Sequence, residues 1–243
     1  LNLVLEYEQE QNGMYKLDKP DFDDIALMLL REYTASVIDS PCEVDINYII
    51  KDCLYLDVYS KHLSANKSIL GLIAFEDTAI PCYNLRFEPI TFDALAGNIV
   101  IDLSLSGQQH IPRRRFTLAH ELAHWIIHRS YHSPTNQVFS FRKTGYLSCG
   151  ESSIEVRNKI LSKESDKEES QANSLAAAIL MPKIAFLTYA YEQLRIHFGK
   201  WATVFTSEED PQRYREALGS IASAFNVSMQ ATEIRLDQFD LLA

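Results

Sequence analysis

No CxxC pair exists among Cys42, Cys53, Cys82 and Cys149, so the chain encodes neither a cysteine zinc clamp nor dithiol chemistry, and a reducing compartment is the simplest setting. Long apolar runs are missing as well. The longest, Leu175 to Met181, falls far short of the roughly 20 residues that cross a bilayer. The first twenty residues hold Glu6, Glu8, Glu10 and Asp18 where a secretion signal needs a basic start and an apolar core. The expectation is a cytoplasmic chain with no membrane span. Positive charge is in deficit, with 23 Lys and Arg against 33 Asp and Glu, a net charge of −10. That balance repels a phosphate backbone and sets generic nucleic-acid binding at a disadvantage. Internal repeats and low-complexity tracts are absent too. What remains is a chain of 243 residues, 47% apolar and 23% charged. That is enough for one large domain or two modest ones.

Hydrophobic spacing organises the chain. After Pro20, the residues Phe22, Ile25, Ala26, Leu29 and Leu30 mark one face of an amphipathic helix. Ile46, Ile49, Ile50 and Cys53 repeat the pattern in a shorter helix, after which Leu54, Leu56 and Val58 alternate as in a strand. Ser68 to Phe75, Ala79 to Asn84 and Asn98 to Leu103 read as further strands, separated by segments carrying Asp77, Pro81, Pro89 and Gly97. A mostly antiparallel sheet is expected. From Pro112 to about Arg129 the pattern is helical again, with proline where a first turn tolerates it. Residues 133–165 mix Pro, Gly, Ser and charges as a surface excursion, with a short β segment at Val138 to Phe141. Ala172, Leu175, Ala176, Ile179 and Leu180 define a helix stopped by Pro182, and Ile184 to Phe198 another closed by Gly199. The C-terminal third reads as helical throughout.

The chemistry is concentrated in Phe116-Thr117-Leu118-Ala119-His120-Glu121-Leu122-Ala123-His124-Trp125. On a helix of about 3.6 residues per turn, His120 and His124 share a face about 6 Å apart along the axis and can converge on one ion. Glu121 then sits beside that ion as a general base for water, which zinc acidifies to a pKa of about 7. Random placement gives such an HExxH in roughly one or two of a hundred chains of this composition.

A catalytic zinc site also needs a third protein ligand. His128 lies about 12 Å along the axis from His120, too far to share that ion. No Gly-His extension follows Trp125-Ile126-Ile127-His128. His128 and His132 therefore read as polar-face residues or substrate contacts. The better source is Lys167-Glu168-Glu169-Ser170-Gln171-Ala172-Asn173. Glu169 continues the buried face set by Ala172 and Ala176 and can point at the first helix, although geometry leaves Glu168 open. Asn173, one turn on, can accept the second ring N–H of a ligating histidine.

The stretches RRRFTLAHELAHW and EESQANSLAAAILMP together resemble the ImmA/IrrE family of zinc metallopeptidases, and the likeness extends over about residues 20–183. Upstream it takes in the helix near Ile25 and Pro41 to Ile46; downstream, Ile221 to Ala231 and Arg235-Leu236 are similar to the family's helical tail. The resemblance implies an α+β, zincin-like core in which a small, mostly antiparallel sheet packs on the HExxH helix. It implies zinc held by His120, His124 and Glu169, with Glu121 as general base. The family's usual substrate is a helix-turn-helix repressor, cut or inactivated inside the cell to relieve repression. Ala123 stands where the family often has Gly, and the stretch from Trp125 to Glu168 is long, as a lid or access regulator would be.

On this reading, residues 1–183 form the peptidase core and 184–243 a helical region with a helix-turn-helix-like end. A zincin of this kind draws peptide into extended pairing with an edge strand, for which Ala79 to Asn84 or Asn98 to Leu103 is the candidate. Oxyanion donors are sought among Tyr131, His132, Tyr146 and His110. Arg113, Arg114 and Arg115 read as an exposed start to the active helix. From Pro211 onward, Arg213, Arg215 and Arg235 face Glu216, Glu233, Asp237 and Asp240. This segment is too poor in positive charge for a DNA reader, so direct DNA binding is not expected. The rival function is a metal-bound module that sequesters a repressor without cutting it, against which an intact Glu121 argues.

Overall fold

The computed structural model describes residues 4–132, 146–150, 163–208 and 210–243, with backbone alone for 146–150 and 163–165. The expected β segment at Val138 to Phe141 and the rest of the excursion lie outside the described residues, apart from a strand at Tyr146–Gly150 and the helical start at Lys163. The class is α+β, as expected. The chain divides into two compact units: Leu1–Leu17 with Ile46–Asn173, and Asp18–Asp45 with Ser174–Ala243.

The first unit holds the sheets. Strands β1 (Val58–Lys61), β2 (Ile69–Ala74), β5 (Ile99–Asp102) and β6 (Tyr146–Gly150) form one sheet in the order β1-β5-β2-β6. Strands β3 (Thr78–Tyr83) and β4 (Pro89–Ala94) form a separate antiparallel ribbon. Among the described strands, β1 pairs with β5 in parallel and the other pairings are antiparallel. The inner strands β2 and β5 are near-continuous apolar runs, ILGLIA and IVID. Their residues are buried on both sides, as strands covered on two faces must be. Leu63, Leu72, Ala74, Ile80, Ala94 and Val100 form a core cluster, with Ile69 and Phe92 packed against it.

Helix α2 (Ile46–Tyr48) runs into a π-helical turn over Ile49–Cys53. The strand expected from Leu54 starts only at Val58, because Tyr55 takes a left-handed φ of 55°, which breaks an extended run. Helix α3 (Ile111–Ile127) carries Pro112 in its first turn and packs on β2 and β5. Every residue from Thr117 to Ile127 is buried.

The second unit is helical: α1 (Lys19–Tyr33), the C-terminal part of α4 (Lys163–Leu180), α5 (Lys183–Phe198), α6 (Pro211–Phe225) and α7 (Met229–Gln238). Gly199 ends α5 at φ 93°, and Asp210 caps α6 through Gln212 and Arg213 N–H. Asn226, at φ 49°, turns the chain between α6 and α7, and Ser228 Oγ accepts from Ala231 N–H at 3.1 Å to cap α7. A helix–turn–helix pair results. Phe186 packs against Phe225 and Phe239, with ring centroids 5.9 and 6.0 Å away. Arg235, wholly enclosed, bonds Asp23 and donates from Nε to the Met181 carbonyl at 3.0 Å.

Candidate metal centre

The site lies in the first unit and is built by α3 and the first half of α4. The four-residue spacing turns His120 and His124 to one side of α3, where their Nε2 atoms are 2.9 Å apart. Glu169 on α4 brings Oε2 to 3.3 Å from His120 Nε2 and Oε1 to 3.7 Å from His124 Nε2. Asn173, one turn further along α4, has Oδ1 3.0 Å from His120 Nδ1. An amide oxygen only accepts, so His120 carries its hydrogen on Nδ1 and presents an Nε2 lone pair to the cluster.

Glu121 is wholly buried, and both its carboxylate oxygens lack a hydrogen-bond partner. Burial pushes its carboxyl up to about 8; the neighbouring His120 opposes this and Glu169 adds to it. Glu169 Oε2 is likewise buried without a hydrogen bond. Leaving such oxygens dry and unpaired is costly. A divalent cation among two imidazole nitrogens and a carboxylate, with a second carboxylate alongside, answers that cost, and the donor set fits zinc. Space for Glu121 comes from Gly71 on β2: a Cβ there would stand 2.4 Å from Glu121 Oε1 and 2.6 Å from Thr117 Cγ2.

Glu168, left open by the sequence, faces another way. Its Oε1 bonds His132 Nε2 and is 3.9 Å from His124 Nδ1. His124, His128 and Glu168 therefore form a second group with ligand atoms within 4.8 Å of one another. This group is fully buried, and it engages His124 through Nδ1 where the first engages Nε2. A hydrolytic centre needs an open coordination position, and Glu169, 18% exposed, gives the first group the better access.

His128 and His132 are not polar-face residues. His128 has no exposed surface; its Nδ1 meets His124 Nδ1 at 2.9 Å and its Nε2 meets Gln171 Oε1 at 3.0 Å. Burial first lowers its pKa to about 4 and keeps the ring neutral. His132 stacks on Phe75 at 4.2 Å between centroids. The sequence did not assign His128, Gln171 or Gly71 to the site. The spacing of His128, four after His124, was the available signal.

Of the proposed oxyanion donors, His132 is held by Glu168 and Tyr131 lies edge-on to His132 at 4.9 Å. His110 sits at the N-cap of α3, about 15 Å along the axis from His120. The Tyr146 side chain lies outside the described residues. The arginine run is also less open than expected, since Arg115 is 4% exposed. Strand β5 pairs on both sides and has no free edge for a peptide, whereas β6, beside β2, ends the sheet among the described residues.

Residues 129–237 match the family model Peptidase_M78, the IrrE N-terminal-like domain, which bears out the resemblance drawn from the motifs. The matched span takes in Glu168, Glu169 and Asn173 and begins just after the HELAH motif. It supports a metallopeptidase-like function. No curated protein matches the chain.

Proposed function

We propose that this chain, residues 129–237 of which match the IrrE N-terminal-like model, is a zinc-dependent endopeptidase whose substrate is a helix-turn-helix repressor. The observation that carries the reading is the convergence of His120 Nε2, His124 Nε2 and Glu169 beside a buried, unpartnered Glu121. The two histidines and Glu169 would hold the ion, which when bound supplies Lewis acidity toward water and the scissile carbonyl. Glu121, buried beside the two histidines with neither carboxylate oxygen hydrogen-bonded, takes the proton of the attacking water and returns it to the leaving amine. An extended substrate segment pairs along β6, which ends the sheet among the described residues and adjoins the strand carrying Gly71. The choice of a repressor as substrate rests on the family resemblance.

The test mixes purified protein with the helix-turn-helix repressor encoded beside it, with zinc, with a chelator, and with Glu121→Gln in place of the native chain. Cleavage is expected only in the native, zinc-loaded tube, with Glu121→Gln reduced about 10²- to 10⁴-fold while keeping its metal. Equal cleavage by Glu121→Gln would remove the general base from the account. A tight complex with uncut repressor in every tube would favour sequestration.

A further inference from the structure

Behind His124 runs a chain of hydrogen bonds whose direction is fixed at its far end. The Tyr15 backbone carbonyl can only accept, so the Gln171 atom 2.9 Å from it is the amide nitrogen. The Gln171 oxygen therefore faces His128 Nε2, 3.0 Å away, and that nitrogen must carry a hydrogen. A neutral imidazole with its hydrogen on Nε2 has a lone pair on Nδ1. Across 2.9 Å that lone pair meets His124 Nδ1, which must then be the N–H. His124 Nε2 is left with a lone pair directed at the His120 Nε2 lone pair, 2.9 Å away.

We propose that Tyr15, Gln171 and His128 form a tautomer lock that holds His124 Nε2 as a ready metal donor, with His128 as a positioning residue. This rests on the reading of His120, His124 and Glu169 as the metal centre. With both outer nitrogens so occupied, the two Nε2 lone pairs face each other across 2.9 Å, a repulsion that a cation bound between them would relieve. Ligating histidines generally lean on a carboxylate, a carbonyl or a water. Glu168 Oε1 bonds His132 and lies 3.9 Å from His124 Nδ1, whereas His128 Nδ1 is 2.9 Å from it. A neutral imidazole takes that supporting place, and Gln171 and the Tyr15 carbonyl dictate which way its hydrogen points. Asn173 does the same for His120 in one step.

The test has two readouts. Imidazole ¹⁵N–¹H correlation spectra of the metal-free protein report the His128 tautomer, and competition with a chromophoric chelator reports zinc affinity. The expected spectrum has the His128 hydrogen on Nε2. His128→Leu and Gln171→Met are expected to weaken zinc binding about 10- to 100-fold, the range for removing such an outer partner. His128→Gln, which can accept from His124 and donate to Gln171, restores most of the affinity. Gln171→Met carries the test if His128→Leu does not fold. A His128 hydrogen found on Nδ1, unchanged affinity in Gln171→Met, or equal loss in the Leu and Gln variants at 128 would overturn the lock. If the native chain bound no zinc, the metal-centre reading would fail, and the spectrum would still decide the tautomer.

Discussion

Gly71 shows how a residue with no side chain shapes the chemistry. Its missing Cβ leaves the volume that the Glu121 carboxylate fills, with Thr117 closing the other side. Gly71→Ala pushes the Glu121 carboxylate off its position, and a displacement of about 1 Å at a catalytic group can cost 10²-fold. We expect kcat to fall by one to two orders of magnitude with zinc content unchanged, and stability to drop by about 1–3 kcal/mol from overpacking. Steady-state kinetics alongside metal analysis check the first, and urea unfolding the second. At this scale the sequence was legible where spacing alone decides, as for His120 and His124. It was silent where a group acts through a neighbour. His128 reads as polar because an imidazole is polar, yet it is buried against two partners, and only coordinates reveal Gln171 and the Tyr15 carbonyl.

Among the elements, helices declared themselves more clearly than strands. Proline at the start of α3, Pro182 after α4 and Gly199 after α5 mark boundaries that the structure keeps within a residue or two. Strand β4 went unread because Pro89 opens it; in a two-stranded ribbon, proline can sit where its missing N–H costs no ladder bond. Sequence alternation likewise does not tell an edge strand from an inner one, which is why β5 was a plausible but wrong place for substrate pairing. The turn between α6 and α7 gives a separate test. Asn226 holds a left-handed conformation, which costs a β-branched residue about 1–2 kcal/mol. Asn226→Val should destabilise the chain by about that much relative to Asn226→Gly. Denaturant midpoints of the two variants measure the difference; equal midpoints would show that the turn carries no such strain.

For the molecule as a whole, the α1 segment and the C-terminal helices fall in one compact unit, while the metal centre lies in the other. Arg235 is the polar anchor of the helical unit, enclosed with Asp23 and set 4.5 Å over the Phe239 ring. Arg235→Ala leaves Asp23 buried without its main partner, a change that costs about 3–5 kcal/mol when a buried pair is broken. Lys183 Nζ, 4.0 Å from Asp23, places the expected loss toward the lower end. Chemical unfolding monitored by circular dichroism checks this, and zinc affinity should be unaffected. No single helix among the described residues is long and apolar enough to cross a membrane. The central claim is that one divalent ion is held by His120, His124 and Glu169. Its most direct test is zinc stoichiometry after dialysis against limiting zinc, measured in parallel for the native chain, Glu169→Ala and Glu168→Ala. The account predicts one zinc per chain for the native protein and Glu168→Ala, and loss of zinc in Glu169→Ala. Zinc kept by Glu169→Ala and lost from Glu168→Ala would contradict it.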